Sequence, residues 1–151
     1  MQTINIGILG LGTVGGGTAQ VLRDNAAEIA RRLGRNVNVF MVSTRNVGKA
    51  FKVCPDALFT TDPFEVVSHP EVDIVVELFG GSDTAKDLVL QAIENGKHVV
   101  TANKKLLAEY GNEIFAAAAQ KNVMVHFEAA VAGGIPIIKA LREGMSANRI
   151  Q

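Results

Sequence analysis

Six residues near the amino terminus, Gly10-Leu11-Gly12-Thr13-Val14-Gly15, leave this chain few folds to choose from. Just before them, Ile4-Asn5-Ile6-Gly7-Ile8-Leu9 is short and rich in β-branched residues, which predicts a buried strand. After them, Val14, Thr18, Leu22, Ala26, Ile29 and Leu33 recur at helical spacing, while Arg23, Asp24, Glu28, Arg31 and Arg32 take the other face. One amphipathic helix, ended by Gly34, is expected. The chain must then pass from strand to helix within a few residues, and glycines at this spacing permit it. Gly10 makes the tight turn, Gly12 leaves bare backbone for an approaching group, and Gly15 lets helix and strand pack closely. The helix start offers unsatisfied amides and a positive dipole end, which suits a phosphate. A plain structural turn is the other reading of the bare pattern.

The rest of the chain repeats the same alternation. Val37 to Ser43 reads as a strand, and the polar stretch from Thr44 to Pro55 carries no clear period. Asp62-Pro63-Phe64-Glu65 combines an N-cap acceptor, a proline at the first helical position and an acid in the first turn, so a short helix starts there. Val72 to Phe79 is the most apolar run and stops at Gly80-Gly81; Ala85, Leu88, Val89, Ala92 and Ile93 then keep helical spacing up to Asn95-Gly96. A strand over Lys97 to Thr101, a helix marked by Leu107, Tyr110, Ile114, Phe115 and Ala118, and a strand over Val123 to Phe127 follow. Gly133, Gly134 and Pro136 introduce a last helix over 137–143, whose Ile137, Ile138 and Leu141 would form an apolar patch. Strands alternating with long helices need crossover connections, so the fold is a doubly wound α/β domain, with a mainly parallel sheet and helices on both faces, of the Rossmann type. Ligands bind such sheets beyond the carboxyl ends of the strands, where strand order reverses.

Composition narrows the partners. A length of 151 residues suits one domain, and 48% hydrophobic residues suffice for a core. Fifteen Lys+Arg balance fifteen Asp+Glu, so no field favours nucleic acid or a membrane surface. No apolar run approaches a membrane-spanning length and Met1-Gln2-Thr3 brings no basic leader, so a cytoplasmic protein is expected. Cys54 stands alone, which excludes an internal disulfide or CxxC pair and suits a reducing compartment. His69, His98 and His126 have no metal-ligand spacing.

The strand ends hold the candidate chemistry. After Ser43-Thr44 comes Arg45, with Lys49 and Lys52 nearby and no acid before Asp56. A carboxylate here would accept from a ribose 2′-hydroxyl, whereas a cation favours a 2′-phosphate, so NADP is expected with NAD as the alternative. Arg45 lies 30 positions after Gly15 because the first helix is long, and a merely solvated loop arginine is the competing reading. Gly80-Gly81 would clear room for a nicotinamide ribose, or simply turn the chain. Glu77, inside an apolar strand, is costly unless paired and reads as structural. Thr101-Ala102-Asn103-Lys104-Lys105 puts two lysines at a helix start, against the dipole. A departure from the local preference suggests a functional reason such as proton transfer, although surface lysines remain the plainer reading. From Glu128 to Pro136, small residues free carbonyls for a ligand or a hard cation, yet spacing alone gives only a loop.

Taken together, Gly10 to Gly15, Val76-Glu77-Leu78-Phe79-Gly80-Gly81, Lys97-His98-Val99-Val100-Thr101-Ala102-Asn103-Lys104 and Glu128-Ala129-Ala130-Val131-Ala132-Gly133-Gly134-Ile135-Pro136 resemble the amino-terminal part of the homoserine dehydrogenase family. The resemblance implies reversible NAD(P)-dependent hydride transfer between aspartate 4-semialdehyde and homoserine, on the route to threonine, methionine and isoleucine. It implies Lys104 as the group assisting proton transfer, and cofactor contacts from Gly10, Gly12, Thr13, Val14, Gly15, Arg45, Gly80, Thr101 and Lys104. It also implies a sodium-like ion on main-chain oxygens of Glu128, Val131, Gly133 and Ile135. Family members continue into a substrate-binding and dimerising domain and are expected to be homodimers, whereas this chain stops at Gln151. Residues 1–134 are therefore expected to form the NAD(P)-binding domain and 135–151 a helix leading toward an absent domain, with cofactor binding but little or no turnover. A stand-alone NADP-sensing module and a related semialdehyde or sugar dehydrogenase are the alternatives.

Overall fold

Short apolar strands with no polar face need cover on both sides, and the chain provides it by returning through a helix after nearly every strand. The computed structural model describes residues 3–144. In chain order its elements are β1 (Ile4–Leu9), α1 (Thr13–Asp24), α2 (Ala26–Leu33), β2 (Val37–Ser43), α3 (Val47–Val53), β3 (Leu58–Thr60), α4 (Pro63–Ser68), β4 (Ile74–Glu77), α5 (Asp83–Glu94), β5 (His98–Thr101), α6 (Lys104–Lys121), β6 (Val125–His126) and α7 (Ile137–Lys139). The strands form one sheet in the order β3-β2-β1-β4-β5-β6, and every pairing is parallel. This is the doubly wound arrangement, with the reversal between β1 and β4.

Register lines up the carboxyl ends. Leu9 pairs with Ser43 on one side and Glu77 on the other, Ser43 with Thr60, and Glu77 with Thr101. Neighbouring residues along a strand enter opposite cores. Leu9, Met41 and Val75 join Leu88, Val89, Leu106 and Ile114 on one face, while Ile8, Val42 and Val76 join Leu11, Ala19 and Ala50 on the other. At the far end of the sheet Lys97 is buried, its Nζ donating to the carbonyls of His69 (2.6 Å) and Val72 (2.7 Å). Among the described residues no helix is long and apolar enough to cross a membrane.

Several expected boundaries are corrected. The single long helix breaks at Asn25, which has φ −107 and ψ 15 and whose Nδ2 donates to the Val21 carbonyl at 2.9 Å. An asparagine amide that competes for a backbone carbonyl interrupts a helix. The aperiodic stretch contains α3, and beyond it β3 is an edge strand of only three residues, too short for a pattern to reveal. The strand expected over 123–127 keeps only Val125–His126. The last helix is one turn, Ile137–Lys139, followed by a wider π-type turn over Ala140–Gly144; Ile137, Ile138 and Leu141 are half-buried there. Residues 145–151 of the expected carboxyl-terminal segment lie outside the described residues.

Candidate functional site

The glycine turn has a separate steric reason at each glycine. Gly10 sits at φ +91, the left-handed region, with its N–H donating to the Ser43 carbonyl at 3.1 Å. A Cβ on Gly15 would overlap the Gly10 carbonyl oxygen, so α1 is seated directly on the end of β1. Over Gly12 a Cβ would meet no atom within 4 Å. Gly12 is also the N-cap of α1, where no side chain caps the helix and the first turn holds no acid. By contrast α4 is capped by the Asp62 carboxylate, as its sequence predicts, and α6 by the Asn103 side chain. Bare amides, open space and no competing carboxylate fit a diphosphate. Thr13 and Val14 are exposed on the same turn.

A cleft of about 650 Å³ runs past this turn along the strand ends. Its walls come from Gly10 to Gly12, Ser43 to Asn46, Thr61 and Pro63, and Leu78 to Gly80, which are the ends of β1, β2, β3 and β4. Arg45 is exposed on the wall, and no salt bridge among the described residues involves it. The loop is set by the Thr44 amide donating to Thr60 O at 2.9 Å and by the Asn46 amide donating to the Thr44 hydroxyl at 3.1 Å. Lys52 is exposed on α3, and the side chain of Lys49 lies outside the described residues. A smaller hollow of about 170 Å³ opens at Cys54, whose thiol is pushed up by burial.

Beyond Gly80 the cleft does not reach Thr101 or Lys104. Instead the ends of β4 and β5 are joined beneath the surface. Glu77 is fully buried, accepting from the Phe79 amide on Oε1 (2.7 Å) and from the Thr101 hydroxyl on Oε2 (2.6 Å). Burial pushes its carboxyl above the usual range, opposed by hydrogen bonds from Thr101, Phe79 and Asn103. Thr101 is 1% exposed, and its hydroxyl also accepts from the Asn103 amide at 3.0 Å. Asn103 caps α6 by accepting from Leu106 N (3.0 Å) and donates through Nδ2 to the Gly81 carbonyl (2.7 Å). Sequence reasoning missed this asparagine, although its N-cap preference was a usable signal. Lys104 opens α6 and is exposed; Lys105 faces Glu109 at 3.7 Å.

The segment from Glu128 to Ile135 lies past β6. Glu128–Ala130 is a 3-10 turn, and Ala132 (φ 56) and Gly133 (φ 59) are both left-handed. The Glu128 carbonyl accepts from Val131 N and the Ile135 carbonyl from Ile137 N. The Glu128 carboxylate takes the amides of Ile138 (2.9 Å) and Lys139 (3.1 Å), a cap for α7 that the sequence reading did not foresee. Among the described residues no three His, Cys, Asp or Glu side chains gather as metal ligands.

A family profile described as "Homoserine dehydrogenase, NAD binding domain" matches residues 10–128. The chain is 66% identical over 151 residues to a homoserine dehydrogenase of Neisseria gonorrhoeae and 59% identical over 150 to one of Pseudomonas aeruginosa, covering 100% and 99% of this chain. It spans about a third of those relatives, 35% and 34% of their lengths. The crystal structure of a homoserine dehydrogenase from Thiobacillus denitrificans superposes with a TM-score of 0.92 at 65% identity, over 99% of this chain and 35% of that one. A hyperthermophilic archaeal homoserine dehydrogenase in complex with NADPH superposes with a TM-score of 0.75 at 27% identity, over 93% of this chain and 48% of that one. By its glycine turn, its strand order and these likenesses, the chain belongs to the family of homoserine dehydrogenase NAD-binding domains.

Proposed function

We propose that the chain is the coenzyme-holding part of a homoserine dehydrogenase, serving hydride transfer between L-aspartate 4-semialdehyde and L-homoserine on the route to threonine, methionine and isoleucine. The carrying observation is the uncapped turn at Gly12, open to the cleft at the point where strand order reverses. In this reading Gly10, Gly12, Thr13 and Val14 seat the diphosphate, and Gly15 holds α1 close enough for its amides to reach. Arg45 takes the 2′-phosphate, so NADP is preferred over NAD; the likeness to a protein in complex with NADPH supports this. Gly80 and the main chain of Thr101 border the nicotinamide end, the Thr101 hydroxyl being committed to Glu77. Hydride donation or acceptance is the chemistry the coenzyme would supply when bound. Lys104, exposed at the start of α6, gives or takes the proton at the substrate's reacting oxygen.

Residues 1–134 form the coenzyme unit in this reading, and 135–151 lead toward a substrate-binding and dimerising part of a cytoplasmic homodimer. The main-chain oxygens of Glu128, Val131, Gly133 and Ile135 would hold a sodium-like ion; the Glu128 and Ile135 carbonyls each already accept one hydrogen bond and keep a second lone pair. Substrate must be held against the coenzyme for turnover, so the 151-residue chain binds coenzyme with little or no activity.

Calorimetric titration with NADP, NAD and a buffer blank tests the reading. NADP binds more tightly than NAD, and Arg45→Ala removes the difference. Tighter NAD, unaffected by Arg45→Ala, overturns the NADP assignment. Binding of neither overturns the coenzyme reading, and steady homoserine-dependent NADPH formation by this chain refutes the expected inactivity.

A further inference from the structure

The loop 78–81 after β4 and the junction of β5 with α6 at 101–104 are tied together by one buried carboxylate, in the strand whose sequence is most apolar. The parallel ladder already sets these strands' register, from Ile74 opposite His98 to Glu77 opposite Thr101. An apolar side chain at position 77 would complete the core without taking a carboxylate out of water, so the sheet alone does not call for an acid. A local rule broken at a strand end beside the cleft points to work outside the fold.

The carboxylate's contacts show where that work lies. Its Oε1 fixes the Phe79 amide and so the start of the loop bearing Gly80 and Gly81. Its Oε2 fixes the Thr101 hydroxyl, which in turn accepts from the Asn103 amide. Asn103 closes the circuit, gripping the Gly81 carbonyl with Nδ2 while its Oδ1 caps α6. Lys104 is the next residue, so any shift of Asn103 moves it directly. We infer that Glu77 is a positioning residue, holding the 79–81 loop and the first turn of α6, with Lys104, in one fixed relation around the nicotinamide half of the coenzyme. The inference rests on the coenzyme reading above and adds a residue that touches neither coenzyme nor substrate.

The test separates the two halves of the coenzyme. Wild type, Glu77→Gln and Asn103→Ser are titrated with NADPH and with 2′-phospho-ADP-ribose, which lacks the nicotinamide, and the emission of bound NADPH is recorded. Glutamine keeps the shape and its oxygen still accepts from the Phe79 amide, but its amide leaves the Thr101 hydroxyl proton without the acceptor it has in the wild type; serine keeps an N-cap oxygen but loses the reach to Gly81. Each variant is expected to weaken NADPH about fivefold and to change its emission, with 2′-phospho-ADP-ribose affinity within about twofold of wild type. Equal weakening of both ligands, or of neither, overturns the positioning role. If Glu77→Gln does not fold, the Asn103→Ser comparison decides. Wild type that binds neither ligand overturns the coenzyme reading itself, a separate result.

Discussion

Adding one methyl group at Gly12, and separately at Gly15, distinguishes a glycine kept for a ligand from one kept for the fold. At Gly12 the backbone has φ −73, open to alanine, and the new Cβ meets no atom within 4 Å. Alanine is a poorer N-cap than glycine by about 0.5 kcal/mol, and its stiffer unfolded chain offsets that by a similar amount, about 0.4 to 1 kcal/mol. Stability of Gly12→Ala therefore stays within about 0.5 kcal/mol of wild type, less than about 2 °C in Tm. In the proposed coenzyme reading the methyl stands where the diphosphate would approach; losing one charge-assisted hydrogen bond, about 2 kcal/mol, should weaken NADPH about thirtyfold. At Gly15 the Cβ meets the Gly10 carbonyl, backbone against backbone, with no flexible side chain to yield. Overpacking of about 3 kcal/mol, less about 1 kcal/mol for alanine's better helix propensity, leaves a net cost of about 2 kcal/mol. For a chain of this size that lowers Tm by about 4 to 8 °C. Thermal melts by circular dichroism and NADPH calorimetry on the same samples read both quantities. A Gly12→Ala protein that melts several degrees lower yet keeps its affinity, or a Gly15→Ala protein as stable as wild type, would refute the reasoning.

Arg45→Ala should weaken NADPH about tenfold, about 1.4 kcal/mol, the lower end for a charge-assisted contact because Arg45 is exposed, and leave NADH within about twofold in parallel titrations. Glu77 and Lys97 should give opposite pH dependences in urea melts compared with Glu77→Gln and Lys97→Met. The raised Glu77 carboxyl binds its proton more tightly when folded, so its contribution is full below about pH 4.5, the unfolded value, and is lost as pH rises through the folded one. Burial lowers the Lys97 ammonium from 10.5, so its contribution is full above that value and is lost as pH falls through the folded one. Glu128→Ala removes the cap on α7, at a cost of about 1 kcal/mol, and should speed hydrogen exchange at Ile138 and Lys139 and lower Tm by about 2 to 4 °C.

Some of this architecture can be read directly along the chain. The run Ile4–Leu9, the turn at Gly10 to Gly15 and the cap at Asp62 all appear where local spacing places them, because each depends on residues within a few positions. Gly10, Gly12, Arg45 and Gly80, proposed above as coenzyme contacts, meet in one cleft because they follow β1, β2 and β4, the three strands around the reversal. Asn25 hid its effect: the apolar spacing continues across it, and its non-helical backbone and its side chain's bond to Val21 show that the helix stops.

Local order along the chain therefore determined the alternation of strand and helix, the bare glycine turn and the class of ligand that turn can hold, since periodicity and backbone sterics act over short separations. Only the folded chain decided that Glu77 faces Thr101, residues 24 positions apart, and that Asn103 reaches back 22 positions to Gly81. Strand pairing alone brings those groups within bonding distance, and no pattern of neighbouring residues records which strand will lie beside which.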